Sequence, residues 1–312
     1  MKLKEIYELF ISTGIKNDPR GEKEVNDLLN ERKKEYNKLS DEEKEYFDKE
    51  TLTNPYGDTR ILYGTGEEEI KSLIAGIDVD TGEIILGKQL GFDLIFSHHP
   101  RGVAFLNLPD VMKLQEDALM HHGIPINISQ KMMAKRISEV DRALTPQNAY
   151  RVVDSARLLN QLFMCCHTPA DNSVQRFLTE LFNKEKPKYL KDVIDLLLTI
   201  PEYKQAKKMG FGPKIFSGDL KSKAGKVVID MTGGTEGAKE LMKKHADAGI
   251  GTIVGMHFSE DHKKEAEENY INLVVAGHMS SDSIGVNLLL DQVEKVGVKV
   301  ESFSGLIRIK RS

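Results

Sequence analysis

The sequence has few of the features that mark secreted, membrane or nucleic-acid-binding proteins. Only two of its 312 residues are cysteines, the adjacent Cys165 and Cys166, so neither a disulfide framework nor a thiolate zinc site is expected. No apolar run approaches the roughly 18 residues that a membrane-spanning helix needs, and the charged start MKLKEIYELF lacks the apolar core of a secretion signal. A net charge of −4 gives no electrostatic reason to expect nucleic acid as a partner. We therefore expect a cytoplasmic protein that has no membrane segment.

What is present fits a globular protein with a large core. Hydrophobic residues make up 40% of the chain and charged residues 29%, and the length alone favours two domains over one. The spacing of Leu3, Ile6, Leu9 and Phe10 predicts a helical N-terminus. The charged stretch at 22–50 continues it, either as a solvated helical face, which we favour, or as a partner-binding arm.

After a predicted turn at 54–57, short apolar runs alternate with amphipathic stretches. Helices are expected from about Thr81, at 110–122 and over 128–160. Strands are predicted at 72–78, 93–97, 162–166, 226–230, 252–255 and 273–276. This alternation predicts an α/β fold with layered sheets.

We place the boundary between two α/β domains near residue 185, giving a first domain at 1–185 and a second at 186–312. Residues 201–218, with several glycines, are expected to form a loop near the junction. The Gly233–Gly234 pair follows a predicted strand, and we favour a tight strand-to-helix turn there over an anion cradle.

The clearest chemical motif is FSHHP, in which His98 and His99 directly follow an apolar strand. Ligand sites in open α/β sheets gather at the carboxyl ends of the strands. Consecutive residues of an extended segment point to opposite sides, so both imidazoles reach one site only if the chain bends there. From local sequence, a metal or catalytic role and a structural role remain equally open.

A second strand end carries His167 and Asp171, again an imidazole with a carboxylate. Asp171 also suits the N-cap of a helix that begins near Ser173, and this alternative stays open.

The third strand end carries His278 and Asp282, which lie about one helical turn apart if a helix begins near Ser280. The alternative is that Ser280 or Ser281 simply caps this helix.

Imidazole and carboxylate ligands suit zinc, iron, manganese or nickel. The side chains at these three strand ends exceed what one tetrahedral ion requires, so we expect two divalent metal ions per chain. The predicted ligands are His98, His99, Asp171, His278 and Asp282.

The segments DLIFSHHP, CHTPAD and VVAGHMSSD resemble the motifs of the Nif-three-like family, part of which carries the name type 2 GTP cyclohydrolase I. The resemblance covers most of the chain from Ile70 onward. It implies that the same five residues hold two metal ions in a cleft between two α/β domains, and that the protein forms a ring-like homohexamer. The sequence departs from the family in having Asp282 where Glu is usual and no Gly–Gly turn after Asp171. The N-terminal helical extension and the long insertion between His99 and His167 are further departures.

The resemblance leads to two hypotheses of function. The first is a dinuclear metal-dependent hydrolase that acts on a small anionic or nucleotide-like substrate, with His167 or His262 transferring protons or orienting a ligand. The second is a non-enzymatic metal-binding oligomer that acts as a scaffold or as a regulatory partner of other proteins.

Overall fold

The computed structural model describes residues 1–311. Its N-terminal part is helical, as predicted. Helix α1 buries Leu3, Ile6 and Phe10 on one face, whereas α2 buries only Val25 and Leu29 and leaves its charged residues in solvent. These first elements are α1 (Leu3–Asn17), α2 (Glu22–Tyr36), α3 (Asp41–Tyr46) and a 3₁₀ turn (Lys49–Leu52).

Two mixed sheets follow, so the predicted α/β class is confirmed. The strands of the first sheet are β1 (Arg60–Tyr63), β2 (Ser72–Gly76), β3 (Leu94–Ser97), β4 (Leu162–Cys165) and β9 (Lys299–Ser302). Those of the second are β5 (Lys214–Ser217), β6 (Lys226–Asp230), β7 (Ile250–Gly255) and β8 (Asn272–Val275). All six strands predicted from the sequence are present.

Each sheet is parallel except for one edge strand. The first has the order β1-β4-β3-β2-β9 and the second β5-β8-β7-β6, with β1 and β5 antiparallel to their neighbours. Register pairs such as Ile95 with Phe163 and Ile253 with Leu273 join apolar residues across neighbouring strands. Because the other strands are parallel, their carboxyl ends meet at one edge of each sheet.

The remaining helices connect the strands and cover the sheets. Two of them, α10 and α15, contribute buried side chains to the apolar clusters of both sheets. The helices are α4 (Thr81–Gln89), α5 (Gly102–Leu106), α6 (Leu108–Val111), α7 (Leu114–His122), α8 (Ile126–Leu144), α9 (Arg151–Leu158), α10 (Thr168–Glu185), α11 (Leu190–Leu197), α12 (Pro201–Lys208), α13 (Leu241–Asp247), α14 (Glu260–Glu268) and α15 (His278–Lys295).

Helices α10 and α15 cross at very short range. A Cβ atom added at Gly285 of α15 would collide with the backbone of Ala170 in α10. Only glycine permits this approach, and it brings the first turns of the two helices together. The crossing therefore places Asp171 next to Asp282, although they come from strand ends of different sheets.

Several details differ from the sequence predictions. Residues 201–218 are not a loop, because they contain α12 and β5, and Tyr203 of α12 is fully buried. The predicted strand-to-helix turn at Gly233 is also wrong, since residues 231–240 are irregular and α13 begins at Leu241. Gly233 has a φ of 107°, and its carbonyl accepts a hydrogen bond from the Gln115 amide. Strands β1, β5 and β9 were not predicted.

The division near residue 185 stays a prediction. The last strand, β9, pairs with β2 and so completes the first sheet, although it lies in the C-terminal part of the sequence. Among residues 1–311, no helix combines the length and the apolar character needed to cross a membrane.

Candidate metal centre

Three predicted strand ends bring histidine and aspartate side chains to one place. His98 and His99 follow β3, His167 caps α10 after β4, and His278 opens α15 after β8. Hydrogen bonds from the backbone N–H groups of His98 and His99 to the carbonyls beyond β2 extend the strand pairing up to this point. We call these side chains the candidate metal centre: His98, His99, His167, Asp171, His278 and Asp282.

Asp282 lies in the middle of the candidate metal centre. Its Oδ1 is 3.5 Å from Nε2 of His98, while its Oδ2 is 3.4 Å from Nε2 of His99 and 3.5 Å from Nε2 of His278. On the other side, Asp171 lies 3.4 Å from Nε2 of His98 and 3.7 Å from Nε2 of His167. The two oxygens of Asp282 thus face different imidazoles, Oδ1 that of His98 and Oδ2 those of His99 and His278.

These separations fit side chains that surround a metal ion. Ligand atoms about 2.0–2.1 Å from a tetrahedral ion lie about 3.4 Å from one another. Within residues 1–311, Nε2 of His98, Oδ1 of Asp171 and both carboxylate oxygens of Asp282 are buried without a hydrogen-bond partner. Buried polar atoms normally have partners, so a cation is the natural complement to this group. Three sets of three side chains have ligand atoms close enough together to hold one metal ion. These sets are His98–His99–His167, His99–His278–Asp282 and His98–Asp171–Asp282.

In three of the histidines, Nδ1 donates a hydrogen bond to an oxygen of the protein. Nδ1 of His98 donates to the carbonyl of Cys166 at 3.1 Å, and Nδ1 of His99 donates to Asp78 at 2.8 Å. Nδ1 of His167 donates to Asp58 at 2.9 Å. In each ring the proton is therefore fixed on Nδ1, and Nε2 is left free for a metal, as in known metal-binding histidines.

The electrostatics of the group follow from burial and from its mixed charges. Burial lowers the pKa of His99, but the nearby carboxylates of Asp282 and Asp78 outweigh it and raise that pKa to about 10. Burial raises the pKa of Asp282, yet the imidazoles around it hold the pKa far below its usual range. Burial raises the pKa of Asp171 to about 6. Without an ion, the group thus holds protons that a metal would displace.

The capping alternatives left open at these two strand ends do not apply. Helix α10 begins at Thr168 and not near Ser173, so Asp171 lies inside its first turns and is not an N-cap. Helix α15 begins at His278 with Gly277 at its N-cap, so Ser280 and Ser281 do not cap it and Asp282 lies one turn into the helix. Both carboxylates point into the group of imidazoles instead.

His167 and His262, the two predicted proton-transfer residues, have different surroundings. His167 lies inside the candidate metal centre, with its Nε2 towards Asp171. His262 lies on α14, where Nε2 donates to the carbonyl of Gly237 at 3.1 Å and Nδ1 accepts from the hydroxyl of Ser259 at 2.6 Å. Both ring nitrogens of His262 are thus occupied by the protein.

Sequence reasoning missed a histidine that follows β7. The ring of His257 lies 4.7 Å from that of His278, centroid to centroid, and its Nδ1 donates to Glu236 at 2.8 Å. The hydrogen bond with Glu236 raises the pKa of His257, and the charge of His257 in turn helps to lower the pKa of Glu236. It lies two residues after the end of an apolar strand, a signal similar to that of His98, but no second motif residue accompanied it.

A cavity of about 630 Å³ opens beside the candidate metal centre. This size lies within the range of small-molecule sites. Its wall includes His167, Asp171, His257, His262 and His278, so both predicted proton-transfer residues face the same space as the candidate ligands.

No protein-family model matches the chain, and no curated protein matches it either. Among solved structures, the chain is similar to a NIF3 superfamily protein from Sphaerobacter thermophilus, with a TM-score of 0.73 and 27% identity over 80% of this chain and 92% of that one. It is also similar in fold to ybgI, a protein of unknown function, with a TM-score of 0.50 and 13% identity over 97% and 98% of the two chains. The chain has the NIF3-like fold with a candidate His/Asp metal-binding cluster, and its resemblance to the Nif-three-like family is confirmed.

Proposed function

We propose that the chain holds two divalent metal ions and is a metal-dependent hydrolase of small anionic, nucleotide-like molecules. The observation that carries this proposal is the position of Asp282, whose two oxygens face two different groups of imidazoles. Oδ1, with His98 and Asp171, would hold one ion, and Oδ2, with His99 and His278, would hold the other. The carboxylate would then bridge the pair.

His167 is assigned to the first of these two sets. Its Nε2 faces Asp171, and Asp58 holds its Nδ1, which is the arrangement expected of a ligand rather than of a mobile proton carrier. Imidazole and carboxylate ligands suit zinc, iron, manganese or nickel.

Bound ions of this type lower the pKa of a water molecule and stabilise developing negative charge on the substrate. The protein itself supplies the enclosed cavity and a group that can take up a proton. We assign that role to His257, because Glu236 orients its ring and leaves Nε2 as the free nitrogen beside His278. His262, with both nitrogens occupied, would keep Ser259 and Gly237 in place.

The test combines metal analysis with a substrate panel. We expect close to two transition-metal ions per chain after mild dialysis. We also expect hydrolysis of at least one nucleotide or phosphoester that chelation abolishes and added metal restores. His98→Ala serves as the inactive control. His257→Gln should keep the metal and lower kcat by about 10²- to 10⁴-fold, the usual contribution of a general acid or base.

Two outcomes would overturn the proposal. Metal content near zero after reloading would contradict the dinuclear centre. Full metal content without turnover above that of His98→Ala would contradict the hydrolase and favour the scaffold, in which the metal centre has a structural or regulatory role.

We further propose that the protein is a homo-oligomer larger than a dimer, with a hexamer expected from the family resemblance. Exposed apolar side chains on α4, Ile85 and Leu86, together with Leu90 after it, offer one surface for contacts between copies. Light scattering at low protein concentration is the measurement, and a mass near the 35.1 kDa of one chain would contradict the proposal.

A cytoplasmic location is proposed as well. Cys165 and Cys166 are both free and buried, and burial raises the pKa of each thiol, so neither is suited to oxidative pairing. Cell fractionation that recovers the protein outside the cytoplasmic fraction would contradict this location.

A further inference from the structure

The cavity continues well beyond the candidate metal centre. All five residues of β6 line it, from Lys226 at the start of the strand to Asp230 at its end. Four steps of about 3.3 Å along a strand correspond to about 13 Å. Helix α10 also lines the cavity, from Asp171 beside the metal centre to Asn183 at the other end, which is about 18 Å along the helix. The space is therefore elongated, with the metal centre at one end only.

The far end is formed by His122, His245 and Lys226, which we call the distal pocket. The two imidazole rings lie 5.8 Å apart, and the ammonium of Lys226 donates to the carbonyl of His122 at 3.1 Å. His245 is only 7% exposed. Within residues 1–311, Nδ1 of each ring is buried without a hydrogen-bond partner, which is costly for a polar group.

The charges in the distal pocket all have one sign. Burial and the nearby Lys226 lower the pKa of His122 to about 4, and burial, His122 and Lys226 together lower that of His245 to about 3. No carboxylate of residues 1–311 forms an ion pair with either ring or with Lys226. The distal pocket thus offers one positive charge and two neutral imidazoles, each of which can donate one hydrogen bond, with no carboxylate paired to them.

The wall between the two ends is largely apolar. Val228, Leu241, Met242 and Ile253 line it, and they would contact a ligand without fixing its orientation. A molecule that spans the cavity is therefore oriented by its two ends.

We propose that the distal pocket binds an oxyanion group of the substrate, a phosphate or a carboxylate, about 13 Å from the bond that reacts at the metal centre. The substrate is then an elongated small molecule with an apolar or aromatic middle and an anionic end that takes no part in the chemistry. The position of the reacting bond depends on the proposed function, whereas anion binding by Lys226, His122 and His245 does not.

Calorimetry on the full-length, metal-free protein tests anion binding separately from catalysis. Inorganic phosphate and succinate are the two probes, and they distinguish the phosphate from the carboxylate. We expect Lys226→Met to weaken binding of the preferred probe about tenfold or more, since it removes a charge-assisted hydrogen bond. His245→Gln should weaken it as well, and Lys226→Arg, which keeps the charge, should bind within a few-fold of the wild type.

Lys221→Met is the matched control, because Lys221 is an exposed lysine close in sequence that does not line the cavity. If Lys221→Met and Lys226→Met weakened anion binding equally, the binding would reflect the general positive charge of the surface, and the proposal would be overturned. So would binding that His98→Ala abolishes and Lys226→Met leaves intact, because the anion would then lie at the metal centre. Failure to bind either probe also overturns it, whatever the metal content proves to be.

Discussion

Two groups of histidines lie at the two ends of one cavity, and they differ in what surrounds their rings. In the candidate metal centre, Asp58 and Asp78 hold Nδ1 of His167 and His99, and other carboxylates face the opposite nitrogens. In the distal pocket, His122 and His245 have no such acceptors among residues 1–311, and their only charged neighbour in contact is a lysine. The residue type is the same, so the environment decides the chemistry.

The pKa shifts of His99 and His245 have opposite signs for the same reason. Acidic neighbours raise the pKa of His99 to about 10, although burial opposes them. Burial, together with the neighbouring His122 and Lys226, lowers the pKa of His245 to about 3. A cation suits the first group and an anion the second. Variants that change one group and leave the other intact test this distinction.

The largest effect is expected for Asp282→Asn. Asparagine keeps the shape of the side chain but removes the charge shared by the two groups of imidazoles, so metal affinity should fall more than about 100-fold. Metal content per chain should drop from close to two to below one. Asp282→Glu, which restores the family's usual residue, should retain metal. His245→Gln is the control, because it alters a buried histidine outside the metal centre and should leave the metal content unchanged.

Asp282 lies inside α15, so a helix-capping role does not compete with this prediction. Wild-type metal content in Asp282→Asn would remove the bridging carboxylate from the proposed centre. Loss of metal in His245→Gln would show that the two groups are not independent, and the comparison would fail.

A smaller loss of metal affinity is expected for Asp58→Asn. Asp58 is fully buried and accepts hydrogen bonds from Nδ1 of His167 and from the hydroxyl of Thr168. Loss of a carboxylate behind a metal-binding histidine typically weakens metal affinity about 10- to 100-fold. Competition titration with a chelating dye measures the change. Asp93→Asn, which alters a carboxylate that binds backbone N–H groups at the far end of the first sheet, should leave metal affinity intact.

The two histidines of the distal pocket should make the metal-free protein less stable at acid pH. In the folded state His122 has a pKa of about 4 and His245 a pKa of about 3, whereas both have a pKa near 6.5 in the unfolded state. Between the folded and unfolded pKa values, the unfolded state therefore binds more protons than the folded state. Stability should therefore fall as the pH drops from about 6.5 to about 4, by roughly 5 kcal/mol for the two rings together. Urea unfolding of the wild type and of a His122→Gln/His245→Gln variant, at pH 7 and pH 4.5, measures it. An equally steep loss in both proteins would contradict the prediction.

Much of this arrangement is visible in the sequence because its signals are local. An apolar run followed at once by a histidine identifies a strand and its end together, as at His98, His167 and His278. Parallel pairing then brings those ends to one edge of each sheet. The predicted ligand residues meet in space for this reason, and the crossing at Gly285 completes the group.

The features that the sequence does not predict depend on contacts between residues that are far apart in the chain. Asp58 is 109 residues from His167 and lies in an irregular segment, so no periodicity marks it. Strand β9 is four residues long and pairs with β2, far away in the chain. The distal pocket joins His122, His245 and Lys226 from three elements, and none of these residues lies in a recognisable motif.

The smallest effect is expected for Asp78→Asn, and it refines the comparison within the metal centre itself. Asp78 holds Nδ1 of His99 as Asp58 holds Nδ1 of His167, at nearly the same distance. Its side chain, however, is 56% exposed, whereas that of Asp58 is fully buried. Water can replace an exposed acceptor but not a buried one, so metal affinity should fall by less than about tenfold in Asp78→Asn. The dye competition used for Asp58→Asn measures both variants side by side. A larger loss for Asp78→Asn than for Asp58→Asn would mean that burial of the acceptor does not govern how firmly these rings are held, and the assignment of His167 as a ligand would lose its main support.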